Sequence, residues 1–257
     1  MLRPRIVPCL LIQDKGLVKT VKFKEGKYVG DPINAVKIFN EREVDELIVL
    51  DIDATVNKKG PDFEAIKILA AECRMPFCYG GGVSTVADAM KIISLGAEKV
   101  AISAAAIERP ALISEISKAV GAQSVIVVLD VKKKLLGGYE VYTHNGKKAT
   151  GKNPLDLAKE FEQLGAGEIV INAIDQDGMM KGMDNNLNTK VREATTIPLT
   201  FLGGIGSQQD IKDTITKFKV IGVAVGSLFV FKGVYKAVLI NYPSTLEKKS
   251  LISNLTK

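Results

Sequence analysis

Gly30-Asp-Pro32, Glu46-Leu-Ile-Val-Leu-Asp51-Ile-Asp53, Gly80-Gly-Gly82 and Ile102-Ser-Ala-Ala105 occur once, and then again in altered form. The second copy reads Lys152-Asn-Pro154, Glu168-Ile-Val-Ile through Asp175, Leu202-Gly-Gly204 and Ala224-Val-Gly-Ser227. Pro32 and Pro154, Glu46 and Glu168, Asp53 and Asp175, and Gly82 and Gly204 all stand 122 residues apart. A register held over that length implies two half-domains of one plan. Each half carries a glycine cluster directly after an apolar strand, where backbone can approach a bound group closely.

Outward from the repeat, short β-branched runs alternate with amphipathic stretches. Strands are expected at 5–12, 46–52, 76–80, 99–103, 124–131, 168–174, 198–202 and 220–226. Helical patterns fall at 32–43, 63–72, 86–95, 110–120, 154–164, 185–194 and 208–218, with an eighth near 233–241. Asp31-Pro32 and Asn153-Pro154 each join a good N-cap to proline at the first helical position. Eight strand–helix units predict one (β/α)8 TIM barrel over residues 1–257. Its half-barrels are expected at about 1–122 and 123–245, with a tail at 246–257. A doubly wound open sheet is the alternative; the twofold repeat of four units favours closure.

An apolar content of 46% supports a large core. No run is long enough to span a bilayer and the N-terminus lacks a signal-peptide pattern, so a cytoplasmic protein is expected. Cys9, Cys73 and Cys78 lack metal-ligand spacing and fit a reduced compartment. No metal or cofactor is expected. The formal charge of +6 comes from scattered lysines without an aromatic or arginine-rich groove motif, which argues for anionic small substrates over nucleic acid.

In a barrel of this kind, function sits on the loops after the strands. Gly81 and Gly82 with Ser103, and Gly203 and Gly204 with Gly226 and Ser227, are the candidate phosphate sites. Backbone N–H groups would bind one phosphate at each, implying a ligand with a phosphate at both ends. Tight turns alone are the plainer reading of these glycines. Asp130, ending a hydrophobic strand, is the candidate catalytic carboxylate. Asp177, beside Gly178, can orient substrate hydroxyls or cap the next segment. Lys19 lies on a long loop (13–31) suited to a mobile lid, where it can clamp a phosphate or stay solvated. His144 in Tyr142-Thr-His-Asn-Gly146 reads as a hairpin turn, and Cys78 as interior packing.

Several motifs resemble the cyclase subunit of imidazole glycerol phosphate synthase. They are Arg5-Ile-Val-Pro-Cys-Leu10, Leu17-Val-Lys19, Gly30-Asp-Pro32, Asp45-Glu-Leu-Ile-Val-Leu-Asp51, Gly80-Gly-Gly82 and the run from Ser124 to Asp130. Gly165-Ala-Gly-Glu168, Ile174-Asp-Gln-Asp-Gly178 and Gly203-Gly204 continue the match over nearly the whole chain. The resemblance implies a two-phosphate barrel that takes ammonia from a glutaminase subunit and cyclises a phosphorylated precursor for histidine and purine metabolism.

The same resemblance implies paired acid–base aspartates on strands one and five. Asp130 matches the second. Leu11 stands where the first belongs, and Asp14 matches a different family position, so it is not a shifted replacement. Ser103 and Leu202 also depart from the cyclase pattern. Arg5, Glu46, Lys99 and Glu168 match the charged ring through which ammonia enters from the glutaminase; a salt-bridged plug of the barrel floor is the plainer reading. A preserved ring beside a lost carboxylate resembles a divergent branch encoded with surface-polysaccharide genes. Thr20-Val-Lys-Phe-Lys24 and the run from Lys27 to Val36 read like that branch. Its members work with a glutaminase-like subunit and an N-acetyl sugar amidotransferase, supplying ammonia that turns an acetamido group into an acetamidino group, and the resemblance implies that role for this chain. Cyclisation of the histidine-pathway precursor by this chain is therefore expected to be weak or absent. The rivals are an active cyclase tolerating Leu11, and a silent subunit that only conducts ammonia.

Overall fold

The computed structural model describes residues 3–252. Eight parallel strands form a closed barrel: Arg5–Gln13, Leu47–Asp51, Phe77–Gly80, Lys99–Ile102, Val125–Lys133, Glu168–Ala173, Leu199–Leu202 and Gly222–Val225. The fifth pairs with the sixth from Glu168↔Ile126 to Ala173↔Val131, and the eighth returns to the first through Arg5↔Gly222 and Pro8↔Val225. These two pairings leave no open edge in the ring of strands, which excludes the doubly wound alternative and gives the (β/α)8 fold.

Alternation along each strand divides the apolar residues into two cores. Outward-facing Ile6, Leu10, Val49, Phe77, Val127, Ile171 and Phe201 pack beneath the helices with Phe39, Ile66, Ile92, Ile113, Phe161 and Ile211. Inward-facing Val7, Cys9, Ile48, Cys78, Ala101, Ile126, Val128, Val170 and Ala224 form a second, smaller cluster inside the barrel. Arg5, Val7, Cys9 and Leu11 thus share the interior side of strand one, as period-2 alternation predicts.

The helices Pro32–Glu41, Phe63–Glu72, Val86–Ser94, Ala111–Val120, Pro154–Gln163, Asn185–Ala194 and Gln208–Phe218 cover the strands. Their caps repeat in the register read from the sequence. Asp62 and Asp184 both accept a hydrogen bond from the backbone three residues on. Thr85 with Asp88, and Ser207 with Asp210, form two capping boxes 122 positions apart.

Three sequence expectations need correction. Residues 233–241 hold no helix; Phe231–Lys232 and Ala237–Val238 pair as a short hairpin. The chain there turns through Gly233 at φ +72° and Lys236 at φ +49°, which a helix does not allow. The last helix is instead Thr245–Ile252, begun where Ser244 and Glu247 cap each other, so much of the expected tail is folded; residues 253–257 lie outside the described residues. The segment 13–31 is not a loop but a β-hairpin of Gly16–Val21 and Lys24–Gly30, the first of which pairs with strand one.

Gly222 shows how tightly the barrel floor is filled. A Cβ there would lie 1.8 Å from Thr200 Oγ1 and 3.2 Å from Arg5 Nη2. Overpacking of this kind costs about 1–3 kcal/mol, and each kcal/mol shifts Tm by about 2–4 °C in a chain of this size. Gly222→Ala should therefore lower Tm by several degrees in thermal denaturation; an unchanged Tm would show that the floor has room to relax.

Candidate functional site

The C-terminal ends of the strands surround a cavity of about 450 Å³. Lys19, Gly81, Gly82, Ser103, Asp130, Asp177, Gly178, Gly203, Gly204, Gly226 and Ser227 all line it, as does Leu11. Every mouth residue singled out from the sequence is thus brought to one place. Lys58, Lys59, Asn145 and Asn172 line it too and were not anticipated.

The glycine clusters are explained first by packing. Gly81 and Gly82 have φ of +124° and +71°, and a Cβ would meet Asp51 O at 2.4 Å or Lys59 O at 2.6 Å. Gly204, at φ +105°, would meet Gly182 O at 2.1 Å. Backbone-on-backbone approach therefore requires glycine with or without a ligand. What favours anion binding is their shared position on the cavity wall with Lys19, Lys58 and Lys59.

Asp130 is half-buried on strand five, three residues before its end, and accepts a hydrogen bond from Asn172 Nδ2 at 2.9 Å. Burial pushes its carboxyl up to about 7, against the opposing effect of that hydrogen bond. A carboxyl balanced there can both take and release a proton near neutrality, which suits general acid–base work. Leu11 contributes no second carboxylate. Asp51 lines the cavity as well; burial raises its carboxyl, but it is engaged in accepting the Asp53 and Ala54 N–H groups.

Asp177 lines the cavity and is held there by the hairpin that covers the mouth. Its carboxylate accepts from Thr20 Oγ1 at 2.7 Å and Phe23 N at 3.1 Å, and its carbonyl accepts from Lys22 N. It ties the Gly16–Gly30 hairpin over the mouth. Lys19 is not solvated: it is buried, and its Nζ donates to the Cys9 carbonyl at 2.5 Å. Burial lowers its pKa, which Cys9 and Asp177 oppose. His144 and Asn145 take φ of +54° and +55° in the hairpin turn, and Asn145 Nδ2 donates to Ile52 O at 2.8 Å. Cys78 packs inside the barrel; burial raises its thiol and that of Cys9 (to about 11), so neither offers a thiolate near neutrality.

At the opposite end, Arg5, Glu46, Lys99 and Glu168 form a closed ring. Arg5 bonds Glu46 through Nη1 and Glu168 through Nη2 at 2.6 Å. Lys99 Nζ bonds the same two carboxylates at 2.7 and 2.9 Å. Thr200, which sequence reading missed, donates to Glu168 Oε1 at 2.5 Å; its inward position on strand seven was the available signal. Burial pushes the Glu168 carboxyl up, but Arg5 and Lys99 outweigh it and hold it near 2. Between this ring and Asp130 the inward-facing side chains are apolar or thiol.

The two buried carboxyls act on stability in opposite directions. Glu168, depressed in the fold, stabilises above the ordinary glutamate range, and that contribution is lost as pH falls towards 2. Asp130, raised in the fold, costs stability as pH climbs from the ordinary aspartate range through about 7. Asp130→Asn should therefore gain on the unmodified protein across that interval, measured by urea denaturation at several pH values. A constant difference would mean that Asp130 ionises normally.

Comparison with known proteins agrees with this geometry. The family described as "Histidine biosynthesis protein" matches residues 5–236. A Vibrio vulnificus protein, provisionally named imidazole glycerol phosphate synthase subunit hisF3, is 54% identical over 98% of this chain and 97% of its own length. A Pseudomonas aeruginosa protein, provisionally named subunit hisF2, is 51% identical over 95% and 97%. The imidazole glycerol phosphate synthase subunit HisF of Natranaerobius thermophilus is 38% identical over 95% and 97%. With matches spanning nearly its whole length, the chain belongs to the HisF family of imidazole glycerol phosphate synthase subunits.

Proposed function

We propose that this chain is the ammonia-accepting barrel subunit of a glutamine amidotransferase of the imidazole glycerol phosphate synthase type. The observation that carries the reading is the joining of two ends by one apolar interior. A charged ring forms the floor, a cavity with a proton-exchanging Asp130 forms the mouth, and the cluster around Val7, Cys78 and Val170 lies between. Neutral ammonia suits such a route, since an ion would need solvation the wall does not provide. A glutaminase subunit would dock on the floor around Arg5, Glu46, Lys99 and Glu168. The phosphorylated substrate would lie across the mouth between Gly82 with Ser103 and Gly204 with Ser227.

For the acceptor, the family and the relatives' names favour the histidine-pathway cyclisation over the sugar amidation that the resemblance suggested. A second reading, ammonia transfer to a different acceptor, rests on one observation: Leu11 leaves the mouth with Asp130 but without its expected partner. General acid–base assistance contributes about 10²–10⁴-fold in rate. Supplied with ammonia, the unmodified protein should turn over the aminated ribulosyl precursor more slowly than Leu11→Asp by a factor of that order. No turnover by either protein would exclude the cyclisation and leave the second reading.

The floor is tested separately. Neutralising one pair, as Lys99→Met with Glu168→Gln, leaves Arg5 bonded to Glu46 and should preserve the fold while uncoupling glutamine-dependent from ammonia-dependent turnover. Equal losses with both nitrogen sources would assign the ring to structure alone.

A further inference from the structure

Asn172 ends strand six directly opposite Asp130 in the parallel register. With Asp130 ionised, its carboxylate can only accept, and the Asn172 amide turns Nδ2 towards it. Its Oδ1 is then left buried without a hydrogen-bond partner, although the residue lines the cavity. An orphaned buried acceptor costs about 1–3 kcal/mol, so it marks a place where a donor belongs. The surroundings restrict that donor. Val128 and Val170 face inward one step below on the same two strands, and Leu11, Leu50 and Leu202 pack against the same inner cluster. Oδ1 is too enclosed for a bulky group, and the apolar layer beneath it admits an uncharged species more readily than an ion.

We propose that Asn172 Oδ1 is the receiving site for ammonia at the point where the apolar barrel interior opens into the mouth. One N–H of ammonia donates to Oδ1, which leaves the nitrogen lone pair turned towards the cavity. Asp130, held by the other end of the same amide, stands ready beside it. A single side chain thereby sets both the incoming nitrogen and the proton-exchanging carboxylate. The inference rests on the ammonia-accepting reading of the barrel and adds to it the residue that receives the nitrogen.

The test is a titration of the unmodified protein with ammonium chloride at alkaline pH, with sodium chloride at equal ionic strength as control. The Asn172 side-chain amide and the Asp130 carboxyl carbon are followed by NMR on selectively labelled protein, with Asn172→Leu identifying the amide signal. A saturable shift of both signals with ammonium alone is expected. No saturable shift would overturn the proposal and leave Oδ1 to an ordered water. In ammonia-dependent turnover, Asn172→Leu should raise the KM for ammonia about tenfold, the loss of one hydrogen bond. The KM for the phosphorylated substrate should stay within about twofold. Equal rises in both, or a fall in kcat alone, would reduce Asn172 to a structural part. Should the precursor not be turned over, the titration on unmodified protein still decides, and should Asn172→Leu not fold, Asn172→Gln identifies the amide signal by its loss from asparagine-labelled protein, so the two readings fail separately.

Discussion

Four charges inside one end of a barrel are tolerable only because each is bonded to both of the opposite sign. Arg5 and Lys99 each reach Glu46 and Glu168, and the ring is electrically neutral. Taking such ions out of water costs several kcal/mol apiece, and removing one partner leaves an uncompensated charge. A well-packed apolar plug would close the floor at least as stably. The ring therefore does not earn its place by stability, and its arrangement on strands one, two, four and six ties the floor to the alignment of the whole barrel. Gly222 is kept bare by Thr200 and Arg5, and Thr200 in turn supports Glu168.

The upper end answers a different constraint. Burial that the floor offsets by pairing is left largely uncompensated at Asp130, which among the described residues has one amide donor and no cation bonded to it. The result is a carboxyl poised near neutrality instead of one locked in its ionised form. Glu168 and Asp130 sit two steps apart in the register of the fifth and sixth strands' shared ladder, separated by Val128 and Val170. One strand pair thus carries a structural charge at its base and a chemical one at its tip. The Gly16–Gly30 hairpin, held by Asp177 through Thr20 and Phe23, covers that tip and buries Lys19.

Most of the barrel was legible in the sequence because its signals are local and repeated. Short β-branched runs marked the strands, and Asp31-Pro32 and Asn153-Pro154 marked helix starts. The hairpins at 16–30 and 231–238 escaped because the turn cues Asp14 and Gly233 stand beside residues that give none. Lys15, Lys22, Phe23 and Lys236 all have positive φ, where glycine or asparagine is the usual cue. Of the site, the glycines and aspartates stood out by their spacing. Asn172 did not, since one polar residue ending an apolar strand reads as an ordinary strand end; its meaning lies in the pairing with Asp130, which only the register supplies. The solvated alternative for Lys19 fell for a similar reason, its burial being set by a hairpin the sequence did not announce.

The central claim is that floor, interior and mouth act as one route for nitrogen. The most direct measurement supplies a glutaminase subunit, glutamine labelled with ¹⁵N at its amide, the phosphorylated precursor and an excess of unlabelled ammonium, then reads the isotope in the product by mass spectrometry. Nitrogen that travels through the barrel keeps its label, so a product rich in ¹⁵N is predicted. A product whose label is diluted to that of the bulk ammonium would contradict the account.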